Sequence, residues 1–298
     1  MKVFHFIIFC YILASCKASS KSNLVNNIEF EREAIIIDST KIQFPWLSNY
    51  DVKNNVQNNI PLPKGYYREN ATANSFTHWL RHLPLKPNDM IVNLYNGDEK
   101  AIQSAQFAIL DIDVGKEDLQ QCADAVMRLR AEYLYVQKRF DQIHFRYTSG
   151  DLVSWDQWRM GMRPMVNGNK VSWQQTSTED DSYKNFKKYL INIFSYCGSL
   201  SLSRELKQIS DIHNIQAGDV FIRGGTPGHA VIVLDVAINR ESGKKIFILA
   251  QSYMPAQEIH LLKNHENINL SPWYEEDFGD ELMTPQYTFT RNELMRFE

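Results

Sequence analysis

Apolar positions along the 298-residue chain change period several times, and each change predicts an element. Leu119, Cys122, Ala123, Val126, Leu129, Tyr133 and Leu134 recur at three- and four-residue steps, the stripe of a long amphipathic helix. Asp118 with Gln121 three residues later has the form of a capping box, and a start there sets Cys122 just inside the first turn. A second helix is expected over about 182–197, and a short one from Ser75 to Leu83. Strands are expected over 91–95 and 105–114. In GDVFIRGGTPGHAVIVLDV, residues 218–236, a short apolar run precedes a glycine-rich break, and a second run, Val231 to Ala237, follows it. Ile246 to Ala250 is a further run, joined to the second by a polar loop over 239–244, which predicts a hairpin. Antiparallel pairing across that loop would set His229 within a residue or two of Ala250-Gln251-Ser252-Tyr253.

The N-terminus breaks the globular pattern. Lys2 precedes an apolar run from Val3 to Leu13, too short to span a bilayer as a mature helix and suited to a signal peptide. The run ends in Leu13-Ala14-Ser15-Cys16, which resembles the lipobox of bacterial lipoproteins. That resemblance implies cleavage of a 1–16 signal region, lipidation of Cys16, and export to the bacterial cell envelope on a lipid anchor in the membrane. Residues 17–60 read as a tether and irregular lead-in, followed by a single α+β domain over 61–298. A net charge of -3 supplies no basic surplus and gives no support for nucleic-acid binding. After export, Cys122 and Cys197 are the cysteines of the folded part, and a disulfide between them is one alternative.

The candidate chemistry gathers at Cys122 and His229. A thiol in the first turn of a helix feels the positive end of the macrodipole, and an imidazolium beside it would favour the thiolate. His229 would serve as base, with Gln251 or, more weakly, Ser252 orienting its ring. Gln121, next to the cysteine, would donate an amide hydrogen to an oxyanion. Trp155 and Trp158 sit in a dense aromatic segment and would stack on sugar rings if exposed; burial in the core is the plainer alternative. Asp111 and Asp113 alternate as an exposed strand face would. No HExxH or paired CxxC spacing predicts a metal site, and no cofactor motif is present.

Cysteine at a helix start, then GDVF, a glycine-rich gap, GH and an apolar strand is similar to the papain-like NlpC/P60 and CHAP hydrolases of bacterial cell walls. In CHAP proteins a glutamine precedes the cysteine, as Gln121 does here. The resemblance implies a papain-like α+β core over about 115–260, an antiparallel sheet packed on the helix that carries the cysteine. It also implies a cofactor-free amidase or endopeptidase acting on peptidoglycan-type peptides, with Cys122 as nucleophile and His229 as base. The phrases FTHWLRHLPL, LQQCADAVMRLRAEYLY and AQSYMPAQ resemble a family of bacterial envelope lipoproteins with no assigned activity. The pattern departs at the third residue, where Ala250 and Ser252 flank Gln251, and at the long interval between Cys122 and His229. A non-catalytic envelope lipoprotein, binding a wall peptide or another envelope component, is the alternative expectation.

Overall fold

The apolar run after the glycine-rich break folds as one long strand, His229–Asn239, buried from His229 through Ala237. Burial of consecutive residues means both faces are covered, which is why the run lacks polar alternation. Its neighbour Lys245–Gln251 is buried from Ile246 onward. The computed structural model describes residues 42–87 and 90–298. The expected signal peptide, the Cys16 lipidation site and the first part of the tether lie outside the described residues.

In chain order the strands are β1 (Tyr66–Tyr67), β2 (Gln106–Ile109), β3 (His144–Arg146), β4 (Leu152–Ser154), β5 (Met162–Asn167) and β6 (Lys170–Gln175). They continue as β7 (Lys207–Gln208), β8 (Val220–Arg223), β9 (His229–Asn239), β10 (Lys245–Gln251) and β11 (His260–Leu262). The last four are β12 (Trp273–Glu275), β13 (Glu281–Met283), β14 (Thr288–Thr290) and β15 (Leu294–Arg296). Helices are α1 (Val56–Asn59), α2 (Phe76–Arg81), α3 (Cys122–Val136), α4 (Trp155–Arg159), α5 (Tyr183–Tyr196) and α6 (Ser199–Glu205).

A nine-stranded antiparallel sheet dominates the fold, in the order β2-β11-β10-β9-β8-β15-β7, with β1 also pairing β9 and β12 also pairing β10. This corrects the expected papain-like α+β core. Strands from residues 66–109 and 260–296 widen the sheet on both sides of the 218–253 hairpin, and the helices are few and mostly short. The remaining strands pair as local hairpins, β3 with β4, β5 with β6, and β13 with β14. The expected strand at 91–95 is reduced to isolated bridges at Asn93 and Leu94.

On one face of the sheet, Phe221, Val231, Val233, Phe247 and Leu249 pack with Ile212, Phe289 and Leu294 in a hydrophobic cluster. Each such side chain contributes roughly 1.5–3 kcal/mol when fully buried. Helix α3 lies against β9, which connects the helix start to the strand start. Residues Gln43–Glu298 form one compact unit. Within it Phe44, Val56 and Ile60 are buried, so this stretch of the sequence's irregular lead-in packs on the body. Apolar side chains interspersed among its asparagines provide the adhesion.

Candidate functional site

Helix α3 begins at Cys122, with Gln121 as its extended N-cap residue. The capping box is therefore Gln121 with Asp124, three residues later than the expected Asp118 start: the Asp124 carboxylate accepts from the Gln121 N–H at 3.1 Å. Burial pushes the Asp124 carboxyl well above its ordinary range. Asp118 instead anchors the approach to the helix, accepting from the Ala256 N–H at 2.6 Å and from Gln121 Nε2 at 3.2 Å. One hydrogen of the Gln121 amide, expected to serve an oxyanion, is thus committed to Asp118.

Further back along the helix, the buried Arg128 fixes the same approach. It donates to the Asp113 carboxylate at 2.8 Å and to Gln120 Oε1 at 2.5 Å, and it meets Glu132 at 3.4 Å. Tyr183 completes the network by donating to Glu132 at 2.7 Å. Two salt bridges of Arg128, to Asp113 and Glu132, and its bond to Gln120 hold the segment before Cys122 more firmly than a surface turn.

His229 opens β9 opposite Arg223 of β8. The preceding glycines permit close packing against α6. A Cβ on Gly224 would lie 2.3 Å from Ser203 Oγ, and one on Gly228 would lie 2.4 Å from the Gly225 carbonyl oxygen. The ring of His229 is 2 % exposed and surrounded by aromatic rings: Tyr253 at 4.8 Å, Tyr287 at 5.1 Å and Phe289 at 5.9 Å between centroids.

Gln251 holds that ring. In β9–β10 pairing Ala250 faces Ile232, so the next step sets Gln251 diagonal to His229 on the same face. His229 Nε2 lies 2.8 Å from Gln251 Oε1. An amide oxygen only accepts, so Nε2 carries the hydrogen and Nδ1 presents its lone pair. Burial lowers the His229 pKa to about 4, opposed by the bond to Gln251, and the ring is neutral at pH 7.

Cys122 comes to this same strand end. The backbone N–H of Ala230, the residue after His229, favours its thiolate, as do the N–H groups of Cys122 and Ala123 at the helix start. The charge on a Cys122 thiolate would also reach the Tyr253 phenol, whose pKa is raised by burial first and by Cys122 next. Burial raises the Cys122 thiol above its ordinary range, and the backbone donors only partly offset this. The expectation of a thiolate at neutral pH is therefore corrected: desolvation outweighs the helix terminus, and at rest Cys122 is a thiol and His229 a neutral imidazole.

Ser252 has a different task from the one expected. Its hydroxyl lies 2.8 Å from both the Gln120 and the Gln257 carbonyl oxygens. It pins the residue before Gln121 to the β10–β11 connection and does not orient the imidazole. Cys122 and Cys197 are both free thiols, and Cys197 donates to the Arg146 carbonyl at 3.2 Å, so the disulfide alternative is not formed.

Trp155 and Trp158 are not substrate platforms, which corrects that reading. Trp155 is 0 % exposed and Trp158 6 %, both packed with Phe186 or Tyr189 of α5. Helix α4 turns them inward, and Trp158 Nε1 donates to Asn185 Oδ1 at 3.1 Å. The residues that do surround the His229 ring, Tyr253, Tyr287 and Phe289, follow the hairpin in sequence. AQSYMPAQ at the end of β10 was the signal for the first; the others arrive by a later return of the chain. Missed as well were His260 and Gln286, which meet Gln251 from behind, and Lys100, which meets His260.

A polar cleft of about 650 Å³, lined by residues including Glu69, Arg81, Asn214 and Arg296, contains neither Cys122 nor His229. Among the described residues no group of three or more His, Cys, Asp or Glu side chains is arranged to hold a metal ion. Also among them, no helix is long and apolar enough to cross a membrane.

A family model for a domain of unknown function matches residues 56–296, a span that begins with α1 and ends in β15. No curated protein and no solved structure matches the chain.

Proposed function

The chain belongs to the DUF4846 family, and for this member we propose a thiol hydrolase that cleaves an amide bond, with Cys122 as nucleophile and His229 as base. One observation carries the reading: the Ala230 amide acts on the thiol at the first residue of α3, and the adjoining His229 has its Nε2 tied to Gln251 at 2.8 Å. That arrangement leaves Nδ1 as the basic nitrogen.

The chemistry follows from the resting state. As a substrate carbonyl approaches, His229 Nδ1 takes the thiol proton and Sγ forms a bond to the carbonyl carbon. The carbonyl oxygen becomes an oxyanion at the N-terminus of α3, where backbone N–H groups and the helix dipole favour negative charge. Collapse breaks the C–N bond, and the leaving amine takes the proton from His229. Water, deprotonated by the same nitrogen, then releases the acid from the thioester and restores the thiol. The balance requires no redox partner.

For the substrate class, the proposal follows the cell-wall resemblance of the GDVF…GH stretch: peptide amides of peptidoglycan type, met in the bacterial envelope by a protein lipidated at Cys16. A second reading, a non-catalytic envelope binding protein, draws support from the burial that raises the Cys122 thiol. Incubation with purified sacculi, followed by mass spectrometry of released fragments, separates the two. The expected result is new amine and carboxyl ends with the wild-type protein and none with Cys122→Ala or His229→Ala. Folded wild-type protein that retains sacculi but releases nothing would replace the hydrolase by the binding protein.

A further inference from the structure

Behind Gln251, away from His229, lies a buried imidazole that the proposed reaction does not use. His260 of β11 is the direct cross-strand partner of Gln251 and is 0 % exposed. Its Nδ1 lies 2.9 Å from the Glu258 carbonyl oxygen. A carbonyl oxygen can only accept, so Nδ1 carries the hydrogen, and in the neutral ring Nε2 offers a lone pair. Burial first, and the neighbouring Lys100 next, lower the His260 pKa to about 3, which keeps the ring neutral.

Two donors share that lone pair: Gln251 Nε2 at 3.5 Å and Lys100 Nζ at 3.4 Å. The consequence for Gln251 is directional. Its amide could be turned either way, with oxygen or nitrogen toward His229. Only the observed orientation gives a hydrogen to His260 and an oxygen to His229. Gln286 also meets the Gln251 amide, at 2.8 Å from its Nε2, but Gln286 is itself an amide that can turn to match either state. His260 cannot turn, because the Glu258 carbonyl fixes its tautomer.

Lys100 strengthens this. It is 5 % exposed, and its side-chain nitrogen meets Gln106 Oε1 at 3.3 Å and His260 Nε2 at 3.4 Å, with no carboxylate partner among the described residues. Burial lowers its pKa to about 8. An ammonium kept in such a place costs stability, and what it does there is oppose a proton on His260 Nε2.

We propose that His260, guarded by Lys100, is a positioning residue that fixes the Gln251 amide and thereby holds His229 as the Nε2–H tautomer with Nδ1 facing the reaction. The inference rests on the thiol-hydrolase reading for its consequence, but its geometry can be tested without turnover. Long-range ¹H–¹⁵N spectra of the histidine rings at pH 7 read each tautomer directly. In the wild-type protein His229 is expected as Nε2–H and His260 as Nδ1–H.

His260→Phe removes the lone pair while keeping a planar ring. It should convert His229 to a mixture of tautomers and slow iodoacetamide alkylation of Cys122 by about tenfold, a part of the roughly 10²–10⁴-fold that general bases contribute. His260→Gln, which restores an acceptor, should recover both. An unchanged His229 tautomer in His260→Phe would overturn the proposal. Should that variant not fold, the wild-type spectrum decides, because a protonated or Nε2–H His260 overturns it equally. Expected tautomer shifts together with absent sacculus cleavage by the wild type would retire the hydrolase and leave the positioning role standing.

Discussion

His229 and Gln251, 22 residues apart in sequence, meet through a single 2.8 Å bond in which the imidazole donates and the amide oxygen accepts. The bond is buried on both sides, so water cannot replace it. Gln251→Leu would leave the His229 Nε2–H without a partner at a cost of about 1–3 kcal/mol. It would also free the ring to adopt the other tautomer, with a loss of amide cleavage on the order of 100-fold. Urea unfolding and sacculus digestion, run on the same preparation, check the two effects. Full activity in a correctly folded Gln251→Leu protein would remove Gln251 from the site.

The thiol itself sets the second expectation. Because burial raises Cys122 and leaves His229 neutral, the folded protein should alkylate slowly at pH 7. The rate should climb only above the ordinary thiol range, roughly pH 8.5. Iodoacetamide labelling of Cys122, followed by peptide mass spectrometry from pH 5 to 10, gives the profile. An inflection near neutrality would mean that a thiolate–imidazolium pair exists at rest, and the general-base step would have to be rewritten.

Much of the site was legible in the sequence because it lies on the longest regular elements. The stripe of α3 set Cys122 at a helix start, and the hairpin register set Gln251 beside His229. The N-cap shifted by three residues because Asp118 is used by Ala256, a partner from a distant loop that periodicity does not register. Sheet width was not legible. Strands such as β1, β7 and β15 have two or three residues, too few to show a period, and their pairing is decided by where the chain returns. The same holds for His260 and Lys100, whose meaning depends on the Gln251–His260 register and on a buried side chain crossing to it. Trp155 and Trp158 carried no mark of which way α4 would face.

Acid sensitivity follows from His229. Its folded pKa of about 4 lies below the ordinary 6.5, so between those values the unfolded chain binds the proton and the folded protein does not. Stability from this group is complete above pH 6.5 and falls as pH drops through the window toward 4. Near pH 5 one such histidine contributes a slope of about 1.4 kcal/mol per pH unit. Raised carboxyls such as Asp219 and Glu205 act in the opposite sense, so the measurement must be a difference. Urea unfolding of wild type and His229→Gln from pH 4.5 to 6.5 should show the steeper loss in the wild type. Parallel profiles would mean that the folded ring titrates as it does in water.

The two tryptophans provide a contrast of size and polarity. Trp155 Nε1 has no hydrogen-bond partner among the described residues, so Trp155→Phe should cost little beyond volume, while Trp155→Ala should cost about 3–5 kcal/mol. Trp158→Phe loses the bond to Asn185, worth about 0.5–1.5 kcal/mol. Neither phenylalanine variant should alter retention by sacculi, because both rings are buried. Weaker retention at unchanged stability would return these rings to the substrate.

Gly228 is the backbone hinge between the glycine-rich break and the base. A methyl there would lie 2.4 Å from the Gly225 carbonyl oxygen, 2.5 Å from Ser199 Oγ and 2.8 Å from the Arg223 carbonyl oxygen. Two of the three are backbone atoms, so relief requires the loop to move rather than a side chain to swing. Gly225, by contrast, has open space around a Cβ but a φ of 105°, so its alanine variant strains one residue without pushing on a neighbour. Both substitutions should destabilise by about 1–3 kcal/mol. Only Gly228→Ala displaces the residue adjoining His229, so it alone should slow Cys122 alkylation and shift the His229 ring signals out of proportion to its stability. Equal effects from the two glycines would show that the loop tolerates movement without passing it to the imidazole, and close packing against α6 would then have no bearing on the site.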